Sequence, residues 1–132
     1  MRFERPANKN ALVLCHMTVR RLKTYTGSQG YVYQYYFVGK RAVQLQDATE
    51  FIFDVTSDRK TTYAMSIFFP KEAALVWAAA HGRALSDSEQ YAAVKMRLFR
   101  AFDEIEDIGG ADRQLLLRPS EVEEFLSSLG VQ

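Results

Sequence analysis

Phe51-Ile52-Phe53-Asp54-Val55 and Tyr63-Ala64-Met65-Ser66-Ile67 are two short runs in which large apolar residues recur at every second place, with seven residues between them. A period of two is the signature of a strand with one buried face. Directly opposed residues of an antiparallel pair share a face, so Val55, Phe53 and Phe51 are expected to oppose Tyr63, Met65 and Ile67. This register leaves an odd-numbered loop around Asp58-Arg59-Lys60, with two cations at its tip.

The same alternation extends upstream. Val13, Cys15, Met17 and Val19 mark a strand over 12–24, and Tyr31, Tyr33, Tyr35 and Phe37 mark one over 31–38. Gly27-Ser28-Gln29-Gly30 is expected to close the hairpin between them, with Gly supplying a positive φ. A fifth short strand is expected at 41–46, entered by a Gly39-Lys40 turn.

Downstream of Pro70 the period changes. Lys71 to His81 is apolar nearly all round and ends at Gly82, which predicts a buried helix over 71–81. Ser86-Asp87-Ser88-Glu89 is a capping box opening a helix over 87–107, with Tyr91, Val94, Leu98, Ala101, Phe102 and Ile105 as its apolar stripe. Ser120 to Glu123 repeats the capping signal for a helix over 120–129, and Gly109 to Asp112 reads as a loop. The order of elements therefore predicts an α+β protein: an antiparallel meander of four or five strands, about 12–69, followed by about three helices packed on one sheet face. The other face would carry His16, Thr18, Arg20, Gln34, Tyr36, Lys40, Asp54, Thr56, Thr62 and Ser66, open to water or a ligand.

With 132 residues and 48% hydrophobic content, the chain has the size and composition of a single globular domain. Cys15 is the single cysteine, which fits a reducing compartment. No secretory apolar stretch follows the charged first residues, and no run of about 18 apolar residues could cross a bilayer, so the expected location is cytoplasmic.

Charge is distributed unevenly. Residues 1–71 carry eleven Lys and Arg against five acids, a net +6, whereas residues 72–132 carry six against eleven, a net −5. Five of the seven tyrosines fall between Tyr25 and Tyr36. Cations that track phosphates and flat rings that stack on bases are the usual means of holding single-stranded nucleic acid. The sequence-level candidate site is accordingly Arg20, Arg21, Lys23, Tyr25, Tyr31, Gln34, Tyr36, Lys40, Arg41, Arg59 and Lys60. The competing explanation is that strand aromatics are there for packing and edge cations for solubility. The second functional expectation is a protein-interaction or assembly subunit, including a homo-dimer, in which the acidic helical half meets a basic partner.

Other chemistry is poorly represented. Cys15 and His16 are strand neighbours pointing to opposite faces and cannot share a zinc, and His81 is expected to cap the end of its helix. Asp103-Glu104-Ile105-Glu106-Asp107 lacks the ligand spacing of a calcium loop. Gly39-Lys40 has neither the upstream Gly nor the following Ser or Thr of a phosphate loop. No Gly-x-Ser-x-Gly is present, and His16 with Asp54 is the one titratable pair assignable to the open face, so hydrolysis stands third. No cofactor or metal is expected.

Overall fold

The computed structural model describes residues 22–104 and 113–132. Five strands form one sheet in the order β1 (Lys23–Thr26), β2 (Val32–Val43), β3 (Ala48–Thr56), β4 (Tyr63–Pro70) and β5 (Gln114–Leu116). Helices α1 (Lys71–His81), α2 (Asp87–Glu104) and α3 (Pro119–Ser128) complete the α+β arrangement. The β3–β4 register is the expected one: Val55 pairs with Tyr63, Phe53 with Met65 and Phe51 with Ile67.

These residues, with Tyr33 and Tyr35, form the sheet side of the core. Ala93, Val94, Leu98, Ala101 and Phe102 of α2 and Val122, Phe125 and Leu126 of α3 form the other side. Phe102 stacks on Tyr33 with ring centroids 4.2 Å apart, and fully burying a ring of this kind stabilises by about 1.5–3 kcal/mol.

Several expectations are corrected. The strand expected at 12–24 lies outside the described residues up to 21, and β1 begins at Lys23. The separate strand at 41–46 does not exist: β2 runs on to Val43, and Gln44–Gln46 form a 3-10 turn. The fifth strand is instead Gln114–Leu116, parallel to β4. Residues 105–107 of the expected long helix lie outside the described residues. The last helix starts at Pro119, where the Glu121 carboxylate accepts from the Arg118 N–H at 2.8 Å, so the box sits two residues before the one expected at Ser120 and Glu123. The Ser86 box is as expected: Ser86 Oγ accepts from the Glu89 N–H and Glu89 from the Ser86 N–H.

A bulge has the widest effect on the surface. Phe37 pairs with Phe53, but Gly39 pairs with Ile52, so Val38 is an extra residue in β2. One inserted residue moves every later side chain to the opposite face. Lys40 consequently pairs with Phe51 and lies on the helix side, while Arg41 pairs with Glu50 on the outer side.

α1 is also not the buried helix its composition suggests. Ala73 and Trp77 are buried, whereas Leu75 is 58% and Val76 48% exposed, and Ala79 and Ala80 are exposed beside them. His81 does not cap its own helix: its ring stacks on Trp77 at 4.1 Å and its Nε2 lies 2.8 Å from Glu123 Oε1 of α3.

Candidate functional site

The outer sheet face is less open than expected. Ile52 (0% exposed), Asp54 (2%) and Glu50 are buried on it. Tyr36 donates to Asp54 Oδ2 at 2.7 Å, which explains how a carboxylate is tolerated in mid-strand. Arg41 Nε donates to Glu50 Oε1 at 2.7 Å, and Ser66 Oγ donates to Glu50 Oε2 at 2.5 Å. The face therefore carries matched polar pairs in place of a row of unbalanced cations. Gln34, Tyr36 and Asp54 line a shallow depression of about 330 Å³, with Arg59 and Thr62 among its other lining residues.

The expected site residues are dispersed over several surfaces. Arg20 and Arg21 lie outside the described residues. Gln34, Tyr36 and Arg41 occupy the outer face. Lys40, displaced by the bulge, approaches Asp87 at 3.7 Å and lies 5.5 Å from the Phe51 ring centroid. Tyr25 stacks parallel on Phe99 at 4.4 Å, and its hydroxyl is 3.0 Å from both Asp103 carboxylate oxygens. Burial, and then the Asp103 hydrogen bond, raise its pKa above the usual phenol range. One face of this half-buried ring is therefore taken by Phe99, and its hydroxyl is held by Asp103.

Tyr31, Arg59 and Lys60 are exposed. The turn that displays the two cations is fixed by Asp58, whose Oδ1 accepts from the N–H groups of Lys60 and Thr61, each at 2.8 Å. The Thr61 and then the Lys60 N–H hold this carboxyl below its usual range. Arg59 takes a φ of 66°, the left-handed region that a tight turn demands.

The other turn at this end of the sheet is locked in place. Ser28 N and Oγ bond the Asp103 carboxylate and carbonyl at 2.9 and 3.0 Å, and Gln29 Nε2 reaches the Asp103 carbonyl at 3.2 Å. The first hairpin is thus tied to main-chain carbonyls in the last described turn of α2. Gly30 supplies the expected positive φ of 93°. Gly27 serves a different need: a Cβ there would stand 2.7 Å from the Phe102 carbonyl oxygen.

Two features escaped the sequence reading. The first is the outward side of α1, where Leu75, Val76, Ala79 and Ala80 sit at helical spacing with no described element over them. The second is Lys95 on α2, half-buried over Tyr91 and Phe99, with Nζ 5.5 and 6.0 Å from their ring centroids. Burial, and then the charge of Lys23, lower its pKa below that of a free lysine. An aromatic stripe at i, i+4 and i+8 with a lysine at its centre is the signal that would have shown it: Tyr91, Lys95, Phe99.

Among the described residues there is no group of three or more His, Cys, Asp or Glu placed to hold a metal, and no helix long and apolar enough to cross a membrane. Comparison with protein-family models, curated proteins and solved structures finds no match.

Proposed function

We propose that this protein is a non-catalytic interaction module that pairs with a second copy of itself through the outward side of α1. The observation that carries this reading is the exposure of Leu75 and Val76 on a helix whose inner side is already satisfied by Ala73 and Trp77. Contiguous apolar side chains on a surface helix mark a protein contact more often than chance. A two-fold axis lets the same stripe cover itself, so a second copy of the chain supplies a complementary apolar surface without any further element. Ala79 and Ala80 allow close approach of the two backbones.

Sedimentation velocity over a range of concentrations tests the reading. A monomer–dimer equilibrium is expected, shifted fully to monomer by Val76→Glu with an unchanged thermal midpoint. A chain that stays monomeric at every concentration, or a V76E variant that dimerises as well as the parent, overturns it.

A second reading keeps the polyanion. Because Asp58 is committed to its own turn, Arg59 and Lys60 face solvent without a balancing carboxylate among the described residues, with Tyr31 exposed just before strand β2. Titration with a fluorescent oligothymidylate at low salt tests it, since phosphate-driven binding is strongest there. An Arg59→Glu, Lys60→Glu double variant that binds like the parent, or a parent that does not bind, removes this reading.

A further inference from the structure

β1 and α2 lie side by side in matched register. Tyr25 stacks on Phe99 and bonds Asp103, and Ser28 bonds Asp103. Two residues back along the strand from Tyr25 is Lys23, and one turn back along the helix from Phe99 is Lys95. Two strand residues span about 6.6 Å and one helical turn about 5.4 Å, so the two steps keep pace. Lys23 pairs with Tyr35, whose side chain is on the helix side and whose ring lies 5.7 Å from that of Phe99. The fold thus places Lys23 and Lys95 at neighbouring positions along the β1–α2 seam, close enough for each charge to be felt by the other.

Nothing in the described residues balances them. The carboxylates along this seam are engaged elsewhere: Asp103 is taken by Tyr25 and Ser28, and Asp87 approaches Lys40. Neither Lys23 nor Lys95 has an ion-pair partner among the described residues. The rings beneath Lys95 attract a cation weakly, which keeps the charge in place without neutralising it. Like charges held together by the register of two elements, at a cost in mutual repulsion, form a site for an anion.

We propose that Lys23 and Lys95 form a seat for a phosphate monoester, a site distinct from the α1 contact. Two point charges match the charge of about −1.5 to −2 on a monoester near neutral pH, whereas a diester carries one. Lysine is suited to this role as a flexible, three-donor cation. The nearby aromatic faces of Phe99 and Tyr91 are already packed against Tyr25 and Phe37, so the seat takes the phosphate itself and has no ring platform for a base.

Residue-resolved lysine labelling on the intact chain tests the proposal. The chain is reductively methylated with formaldehyde and borohydride, and each lysine is followed by mass spectrometry at constant ionic strength with chloride, inorganic phosphate or phenyl phosphate. Bound phosphate raises the proton affinity of the ammonium and shields it, so Lys95 and Lys23 should label several-fold more slowly in either phosphate than in chloride. Lys60 and Lys71 should be unchanged. Lys23→Gln should remove the phosphate effect on Lys95 while leaving the circular dichroism spectrum and thermal midpoint as in the parent. Equal labelling of Lys95 in phosphate and chloride overturns the proposal. So does equal slowing of Lys60, which indicates general screening, or protection by an oligothymidylate where inorganic phosphate gives none. If Lys23→Gln unfolds the chain, Lys23→Arg decides: it keeps the charge and should keep the protection of Lys95, and loss of that protection in a folded Lys23→Arg chain also overturns the seat.

Discussion

α1 and α2 both pack against β4, yet they relate to the core in opposite ways. α2 is rich in charged and polar residues and still buries Ala93, Val94, Leu98, Ala101 and Phe102, because its apolar residues recur at spacings of three and four. α1 has three ionisable residues in eleven and buries only Ala73 and Trp77. Apolar content alone therefore does not measure burial. A helix whose apolar residues run all round has one side for the core and another left over, and on α1 the left-over side carries Leu75 and Val76. The same contrast separates anchorage from surface: α2 is tied to the sheet through Tyr91, Phe99 and Phe102, whereas α1 meets the core through Ala73 and Trp77 and is held beside α3, with His81 bonded to Glu123.

The contrast can be tested by substitution. Phe102→Ala should have the largest effect, because this fully buried ring stacks on Tyr33 and its loss leaves a cavity at the centre of the α2 contact. A loss of about 4 kcal/mol is expected from urea denaturation. Trp77→Ala should cost about 3 kcal/mol, since Trp77 is 2% exposed and is the single large anchor of α1. A cost near zero would show that α1 is held by something other than its inner side. Gly27→Ala should lower stability by about 1–3 kcal/mol, because the added Cβ meets the Phe102 carbonyl oxygen in the closely packed seam, and the same denaturation measurement reads it.

The smallest effect concerns the joint between the two helices. Arg83 bonds Glu89 through both terminal nitrogens, at 3.0 and 2.9 Å, and its guanidinium lies 4.9 Å from the centroid of the Trp77 ring. The Arg83 bond, and then the Ser86 N–H, pull the Glu89 carboxyl down to about 2. A depressed carboxyl stabilises above its unfolded pKa and loses that contribution as pH falls through its folded one. The cap should therefore persist on acidification past the usual carboxylate range and fail near pH 2. Carboxyl-carbon NMR of Glu89 should titrate there, and Arg83→Gln should move the midpoint upward.

The β3–β4 pairing was fully legible in the sequence, because alternation on both strands leaves one register that buries every large residue. The Ser86 box and the Gly27–Gly30 turn were legible for similar local reasons. The side of Lys40 was not. Gly39 inside an alternating run is a signal for a bulge, but it also fits the turn expected there, and a single surplus residue is enough to send Lys40 toward Asp87 and Arg41 toward Glu50. β5 was missed because three residues are too few to show a period, and its place beside β4 is set by the Arg113 and Leu117 backbone bonds. The candidate site fared worse than the fold. Its residues were grouped by nearness in sequence and by charge, whereas pairing across the sheet gave Arg41 and Tyr36 acidic neighbours and put Tyr25 under Phe99.

The bond from Ser28 to Asp103 spans 75 positions of chain, and this bears on how the molecule is made. A ribosome delivers β1 to β4 first, with Tyr33, Tyr35, Phe51 and Phe53 on a bare aromatic wall. At a translation rate of about 5–20 residues per second, roughly 2–7 s pass between completion of β4 and synthesis of the α2 end that shields the wall. During that interval the nascent sheet is a natural client for a chaperone and is most at risk of sticking to a neighbouring polysome product.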